Sequence, residues 1–262
     1  MKRHFFERGW CRFPHDSALL EWGHRALPAA RRAIHDPENA RHFLCGGTWF
    51  LGTNVLPNDA TGSVSGGPTL TGKAIDFICD TLGLAPFAWD MGQVSVCYPG
   101  YPRSMESESE AAHRYRRNRD GAHIDGLLAE GPQKRRFLRE YHAFLLGIPM
   151  VEARADASPL VVWEGSHEII RGTFKVLFKD IAPQAWGDID VTEAYWSARR
   201  KIFSSCDRVK IAAKPGEAYL VHRLSLHGIA PWSLGATSGP DGRMICYFRP
   251  QVRDPRDWLY AA

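Results

Sequence analysis

The sequence predicts an α+β, β-rich fold in which helices precede a β-barrel or jelly roll. Residues 17–35 and 72–82 carry apolar side chains at helical spacing. After residue 140, short apolar segments alternate with turn sequences such as 214–217 and 238–242, a pattern typical of sandwiches and barrels. The sequence has no internal repeat and no second apolar block after a linker. We therefore expect a single domain over residues 1–262.

The predicted helical part consists of two helices and one long loop. Leu19, Trp22 and Ala30 recur at helical spacing in the first helix, with Arg and His between them. Residues 53–71 are rich in Gly, Ser, Thr, Asn and Pro and connect this helix to the second one. Loops of this length are uncommon in compact domains, and they are often active-site covers or disordered segments.

The predicted strands are all short. Residues 93–98 alternate with period two before a turn at 99–102, as expected for a strand with one buried face. The charged stretch 106–120 is typical of a solvated helix or a mobile loop. The remaining predicted strands cover residues 141–148, 160–163, 208–212, 218–221, 224–227 and 244–248.

Composition indicates an ordinary globular protein in a reducing, cytoplasmic setting. Hydrophobic residues make up 44% and charged residues 24%, which is ample for a core. The net charge of +4 does not by itself imply a nucleic-acid partner. The six cysteines are scattered without a C-x-x-C pair, so neither a disulfide framework nor a zinc ribbon is suggested. We expect no signal peptide and no membrane partner, because the N-terminus and the rest of the chain lack the apolar runs these need.

The tripeptide His123-Ile124-Asp125 is the strongest functional signal. With 11 His and 16 Asp in 262 residues, about one H-x-D match is expected by chance, so context must decide. In an extended segment His123 and Asp125 point to the same face. A second histidine, His227, follows about a hundred residues later in a strand-like segment. Two imidazoles and one carboxylate form the facial triad of non-haem Fe(II) oxygenases, so we expect these three residues to bind iron.

Two arginines follow His227 and flank the last predicted strand. Arg243 and Arg249 are six residues apart and share a face if the strand is regular. A fixed guanidinium pairs well with a carboxylate, so either residue could hold a dicarboxylate inside a barrel.

Four stretches, in order, resemble the phytanoyl-CoA dioxygenase (PhyH-like) family of Fe(II)/2-oxoglutarate oxygenases. Each motif is short, but the ordered set runs over nearly the whole chain. The four stretches are 6–14, the H-x-D at 123–125, 160–167, and 214–217 together with 226–228.

This resemblance implies a double-stranded β-helix (jelly-roll, cupin-like) core with N-terminal helices packed on one sheet. It implies Fe(II), 2-oxoglutarate and dioxygen as cofactor and co-substrates, with a small-molecule substrate hydroxylated as 2-oxoglutarate becomes succinate. His123, Asp125 and His227 would be the catalytic iron ligands. Arg243 would hold the distal carboxylate of 2-oxoglutarate, with Gln93 as a further contact.

The chain departs from the family pattern at several positions. Glu164 replaces a proline, and the His227–Arg243 gap of 16 residues is longer than usual, with 234–242 looking like an inserted turn. The longer gap leaves Arg249 as an alternative co-substrate arginine. Because the carboxylate at Asp125 is retained, halogenation is disfavoured.

Two other functions stay open on the sequence. The first is a binding protein that kept the barrel and its metal but lost turnover. The second is an oxygenase acting on nucleic acid, suggested by the basic runs at 113–119 and 134–136. Acidic residues just upstream of the first run and the small net charge disfavour the second. The sequence leaves the substrate and the oligomeric state undetermined, and we expect the variable stretches 53–71 and 102–122 to set selectivity.

Overall fold

A computed structural model describes residues 1–84, 88–106 and 108–261. Seven α-helices occur in these ranges, and no helix there is long and apolar enough to cross a membrane. The helices are α1 (Lys2–Arg8), α2 (Ser17–His35), α3 (Lys73–Leu82), α4 (Glu110–Asn118), α5 (Ser166–Leu177), α6 (Thr192–Ser205) and α7 (Pro255–Tyr260).

Twelve strands lie in the same described ranges, and every pairing among them is antiparallel. They are β1 (Trp10–Phe13), β2 (Phe43–Leu44), β3 (Trp49–Gly52), β4 (Gln93–Cys97), β5 (Leu127–Glu130), β6 (Arg135–Leu138), β7 (Phe144–Pro149), β8 (Leu160–Trp163), β9 (Arg208–Ile211), β10 (Ala218–His222), β11 (His227–Ile229) and β12 (Arg243–Phe248).

A seven-stranded sheet and a three-stranded sheet face each other. The large sheet has the order β1-β10-β7-β12-β4-β3-β2, and the small one the order β11-β8-β9. Side chains alternate between the two faces of each strand. On β7 and β12, Leu145, Ile245 and Tyr247 point inward and pack with Leu160 and Val162 of the small sheet.

The N-terminal helices cover the outer face of the large sheet. Trp22 and Ala26 of α2 lie in one core with Phe144 and Phe248 of the sheet. The Asp16 carboxylate caps the N-termini of two helices. It accepts hydrogen bonds from the backbone N–H of Ala18 at the start of α2 and from that of Lys73 at the start of α3. The outer face of the small sheet is covered by α5, α6 and α7 in a second core.

Several predicted elements are confirmed and others are wrong. The helices over 17–35 and 72–82 and the strands at 93–98, 160–163 and 208–212 agree with the structure to within one residue at each end. Residues 110–118 of the charged stretch are helical. The strand predicted over 224–227 is wrong, because residues 223–226 form a turn that carries the chain from the large sheet to the small one.

The order of helices followed by strands is also wrong. Helices α5 and α6 lie between β8 and β9, where the sequence pattern predicts only strands and turns. The stretch at 6–14, which resembles an opening strand, contains the end of α1 as well as β1. At Glu164 the backbone N–H donates to the Asp207 carbonyl and the carboxylate accepts from Trp10, so a proline there would lose both contacts.

Candidate metal centre

The structure brings His123, Asp125 and His227 together. One ligand atom from each lies within 4.8 Å of the others, and no other such cluster of three occurs in the described ranges. Asp125 Oδ1 lies 3.3 Å from His123 Nε2 and 3.7 Å from His227 Nε2. The two imidazole rings are 4.7 Å apart between centroids. Three donors facing one point in this way can hold a metal ion without a large rearrangement.

Backbone pairing positions the two histidines. His123 and His227 form an antiparallel bridge in which each N–H donates to the other's carbonyl, at 2.8 and 3.0 Å. Ile124 points the opposite way and is buried in the second core. His123 and Asp125 therefore face the same point, with His123 paired to the first residue of β11 and Asp125 at the start of the turn that follows.

Each imidazole is oriented by a backbone carbonyl. His123 Nδ1 lies 3.0 Å from the Gly121 carbonyl oxygen, and His227 Nδ1 lies 3.0 Å from that of Ser225. A carbonyl can only accept, so each Nδ1 carries a proton and each Nε2 faces Asp125; a protonated Nε2 would donate to that carboxylate, and a deprotonated one would offer its lone pair to a metal. This outer contact fixes ring orientation and tautomer, as is usual for metal-binding histidines.

The segment before His123 is anchored to the small sheet. The buried carboxylate of Asp120 accepts two hydrogen bonds from Arg208 of β9, at 2.6 and 2.7 Å. The Asp120 carbonyl also accepts the N–H of Ile229. Gly228 lets this segment approach closely, because a Cβ there would lie 2.3 Å from the Asp120 carbonyl oxygen.

Asp125 is held as an anion among cationic groups. Burial by itself would raise its pKa, but the facing charges of His227 and Arg249 and hydrogen bonds from both imidazoles lower that pKa well below its usual value. For His227, burial would lower the pKa, and the charge and hydrogen bond of Asp125 raise it instead. An ionised carboxylate between two imidazoles is the donor set that a divalent cation needs.

A cavity of about 140 Å³ opens beside the three ligands. Of the other predicted site residues, Gln93 and Arg249 line it and Arg243 does not. One side is exposed, since 49% of the His123 side chain is accessible, whereas His227 is buried. The lining residues are Trp49, Leu51, Thr53, Gln93, Ser95, His123, Asp125, Leu145, Leu160, His227, Gly228, Ile229, Tyr247 and Arg249.

Arg243 lies outside the lining of this cavity. Its Nη2 is 3.5 Å from the hydroxyls of Tyr219 and Tyr247, and Tyr247 lines the cavity. Its Nη1 is buried and has no hydrogen-bond partner among the described residues. Arg249 emerges at the other end of β12, with Nη1 3.6 Å from Asp125 Oδ2. The two arginines thus share a face of the strand, as predicted, and flank Tyr247.

Several cavity residues were not anticipated from the sequence. Tyr247 could have been found, because it alternates with Arg243 and Arg249 on one strand face. Trp49 and Leu51 belong to β3, which was not predicted as a strand, and Trp49 donates to Ser95.

The loops expected to set selectivity lie mostly elsewhere. In the 53–71 loop, Thr53 lines the cavity, whereas Leu56, Val64 and Leu70 pack into the core shared with α2. No described residue of 102–122 lines the cavity. The aromatic side chains of Tyr98, Tyr101 and Trp232 do not line it either.

The basic runs that suggested nucleic acid make internal contacts. Arg116 forms an ion pair with the buried Glu108, and Arg119 stacks over Phe203. In the second run, Arg135 pairs with Asp190. These contacts account for part of the basic residues without an external partner.

The chain is similar to known proteins in structure but not in sequence. No protein-family model matches the sequence, and no curated protein matches it significantly. EvdMO1 matches over 96% of this chain with a TM-score of 0.50 and 12% identity, and this chain spans about half of it (49%). This likeness shows a shared fold.

Two further solved structures match with lower TM-scores. SnoN, described as a non-heme alpha ketoglutarate dependent epimerase from nogalamycin biosynthesis, is 10% identical (95% of this chain, 79% of SnoN, TM-score 0.45). EctD from S. alaskensis, solved with 2-oxoglutarate and 5-hydroxyectoine, is 14% identical (95% of this chain, 73% of EctD, TM-score 0.44). The resemblance to the phytanoyl-CoA dioxygenase family stays a prediction, since no family model matches.

Proposed function

We propose that the protein is an Fe(II)- and 2-oxoglutarate-dependent dioxygenase that hydroxylates a small molecule. The observation that carries the proposal is the grouping of His123, Asp125 and His227 at the edge of an open cavity, with both Nε2 atoms directed to Asp125 and both Nδ1 atoms held by backbone carbonyls. Two imidazoles and one carboxylate on one face leave three coordination positions for a co-substrate and dioxygen. The two facing antiparallel sheets fit a double-stranded β-helix core around this site.

Arg243 is the residue we propose for the distal carboxylate of 2-oxoglutarate. A buried guanidinium with an unpaired N–H is unfavourable, and an anion would satisfy it. Its Nη2 lies 3.5 Å from the hydroxyl of Tyr247, a residue that lines the cavity. Gln93, opposite Tyr247 on β4, is placed to contact the co-substrate at the cavity wall. Arg249 remains the alternative arginine, since it already lines the cavity.

Iron with 2-oxoglutarate and dioxygen supplies an oxidant able to break a C–H bond, and succinate and carbon dioxide are released. The protein positions these reactants. The Gly121 and Ser225 carbonyls fix both imidazoles, while the buried Leu145 and Leu160 supply an apolar part of the cavity wall. The exposed side at His123 is where a substrate would enter, and the mixture of apolar and polar lining suits a small molecule.

The proposal is tested by succinate formation from 2-oxoglutarate with Fe(II) and oxygen. We expect one iron per chain, bound 2-oxoglutarate and slow succinate formation without a substrate. His123→Ala and Asp125→Ala should abolish turnover. His24→Ala changes an exposed histidine of α2 and should leave turnover unchanged.

Two results would contradict the proposal. Full turnover in Asp125→Ala would mean that the triad is not the iron site. Tight metal binding without 2-oxoglutarate binding or turnover would instead favour the binding protein that kept its barrel.

A further inference from the structure

We infer that Arg249 is a positioning residue that keeps Asp125 bound to the metal through one oxygen. This inference rests on the proposed function. It adds that Arg249 would set how many coordination positions stay open on the metal. It assigns to Arg249 a role distinct from that of Arg243.

The two oxygens of Asp125 face different partners. Oδ1 points to the metal position, since it lies 3.3 and 3.7 Å from the two Nε2 atoms. Oδ2 points away from it, to Arg249 Nη1 at 3.6 Å. The Asp125 side chain is 12% exposed, so water competes little for this second oxygen. The carboxylate is therefore already divided between a metal-facing and an arginine-facing oxygen.

Arg249 is held firmly enough to act on its neighbour. It follows β12 directly, and its carbonyl lies 2.7 Å from Nδ1 of the buried His142. His142 Nε2 in turn lies 2.9 Å from Glu140 Oε2. The next carbonyl, that of Pro250, accepts the N–H of Ala143 at 2.7 Å. The Arg249 side chain is 17% exposed, so its guanidinium stays against Asp125 and not in open solvent.

Counting coordination positions shows why one oxygen matters. Two imidazoles and one carboxylate oxygen leave three of six coordination positions open. That is enough for 2-oxoglutarate, which would occupy two positions, and for dioxygen, which would occupy one. If Asp125 bound through both oxygens, the co-substrate would fill the last two positions and dioxygen would have none. A cation on Oδ2 competes with the metal for that oxygen and so keeps the third position free.

The test compares Arg249→Gln, Arg249→Ala and Arg249→Lys with wild type. The controls are Arg243→Gln on the same strand and Arg200→Gln at an exposed position of α6. Anaerobic titrations give the affinities for Fe(II) and for 2-oxoglutarate. Nitric oxide then serves as a dioxygen surrogate, and the electron paramagnetic resonance signal of its iron adduct reports an open position. Succinate formation is measured on the same samples.

We expect Arg249→Gln and Arg249→Ala to keep the affinities for Fe(II) and 2-oxoglutarate. Their nitric oxide signal and turnover should both fall, roughly 10–100-fold, as for other residues that orient a metal ligand. Arg249→Lys retains the charge and should restore part of both. Arg243→Gln should weaken 2-oxoglutarate alone, and Arg200→Gln should change nothing.

Three results would overturn the inference while leaving the proposed function intact. The first is a wild-type nitric oxide signal in Arg249→Gln. The second is weaker 2-oxoglutarate binding in that variant, which would make Arg249 the co-substrate arginine. The third is an equal loss of Fe(II) affinity in all three Arg249 variants, which would indicate a general structural role. A wild-type protein that binds neither iron nor 2-oxoglutarate would refute the proposed function and this inference with it.

Discussion

Replacing Gly228 by alanine should disturb the metal centre through the backbone alone. Gly228 directly follows His227, and an added Cβ would meet the Asp120 carbonyl oxygen at 2.3 Å and the Ala122 Cα at 3.3 Å. Real Cβ atoms essentially never come closer than 3.0 Å to another heavy atom, so the two segments must separate by about 0.7 Å. The Arg208–Asp120 pair prevents the other segment from yielding freely.

This separation would disturb the backbone pairing that holds two of the proposed metal ligands together. His123 and His227 exchange backbone hydrogen bonds one residue away from the clash. Ligand distances in metal sites are fixed to about 0.2 Å, so we expect metal affinity to fall roughly tenfold or more, which is about 1.4 kcal/mol per factor of ten. The strain of overpacking should also lower the free energy of unfolding by about 1–3 kcal/mol.

Both quantities can be measured on the metal-free protein. Titration with Co(II) gives the affinity, and urea unfolding gives the stability. Gly172→Ala is the matched control, because an added Cβ in helix α5 meets nothing within 4 Å and should stabilise by about 0.5–1 kcal/mol. If Gly228→Ala binds Co(II) and unfolds like wild type, the close approach does not position the ligands.

Three other perturbations test separate parts of the structure. Arg243→Gln should raise the dissociation constant for 2-oxoglutarate and leave that for Fe(II) unchanged, as measured by calorimetric titration with each ligand. An unchanged affinity for 2-oxoglutarate would show that the assignment of Arg243 is wrong. Arg208→Gln leaves the buried Asp120 carboxylate unpaired and should cost about 1–3 kcal/mol in urea unfolding, with weaker metal binding; wild-type values for both would contradict the anchor. Burial, together with nearby Arg and His charges, lowers the pKa of His222 well below 6.5. Below pH 6.5 the folded state therefore binds fewer protons than the unfolded state, and the free energy of unfolding decreases as the pH falls. This loss approaches about 1.4 kcal/mol per pH unit, and unfolding midpoints should show a smaller slope in His222→Asn, whereas equal slopes would refute it.

The three residues proposed as metal ligands could be predicted from the sequence because their signals are local. His123 and Asp125 are two residues apart, and any extended backbone puts such residues on one face. Position 227 could be found from its strand-like neighbours, although the strand boundary predicted there was wrong. The turn at 223–226 moves the chain between sheets, and no local pattern marks a change of sheet.

The roles of the two arginines could not be separated from the sequence. Alternation predicts that Arg243 and Arg249 share a face; in the structure Arg243 begins β12 and contacts the Tyr247 hydroxyl, and Arg249, just after β12, lines the same cavity as Tyr247. Which one meets the metal ligands depends on where residue 125 lies relative to the strand ends, and this is set by long-range pairing. Helices α5 and α6 were not predicted, although the buried residues Ile170 and Phe174 of α5, and Tyr195, Ala198 and Ile202 of α6, recur at helical spacing.

The central claim is that His123, Asp125 and His227 bind an iron to which 2-oxoglutarate coordinates. Anaerobic addition of Fe(II) and 2-oxoglutarate to the whole protein tests it directly through the visible charge-transfer absorption that a chelated 2-oxoglutarate gives. We predict that this band appears at one iron per chain in wild type and in His24→Ala, and is lost in His123→Ala and Asp125→Ala. A wild-type protein without the band, or a band that persists in Asp125→Ala, would contradict the claim.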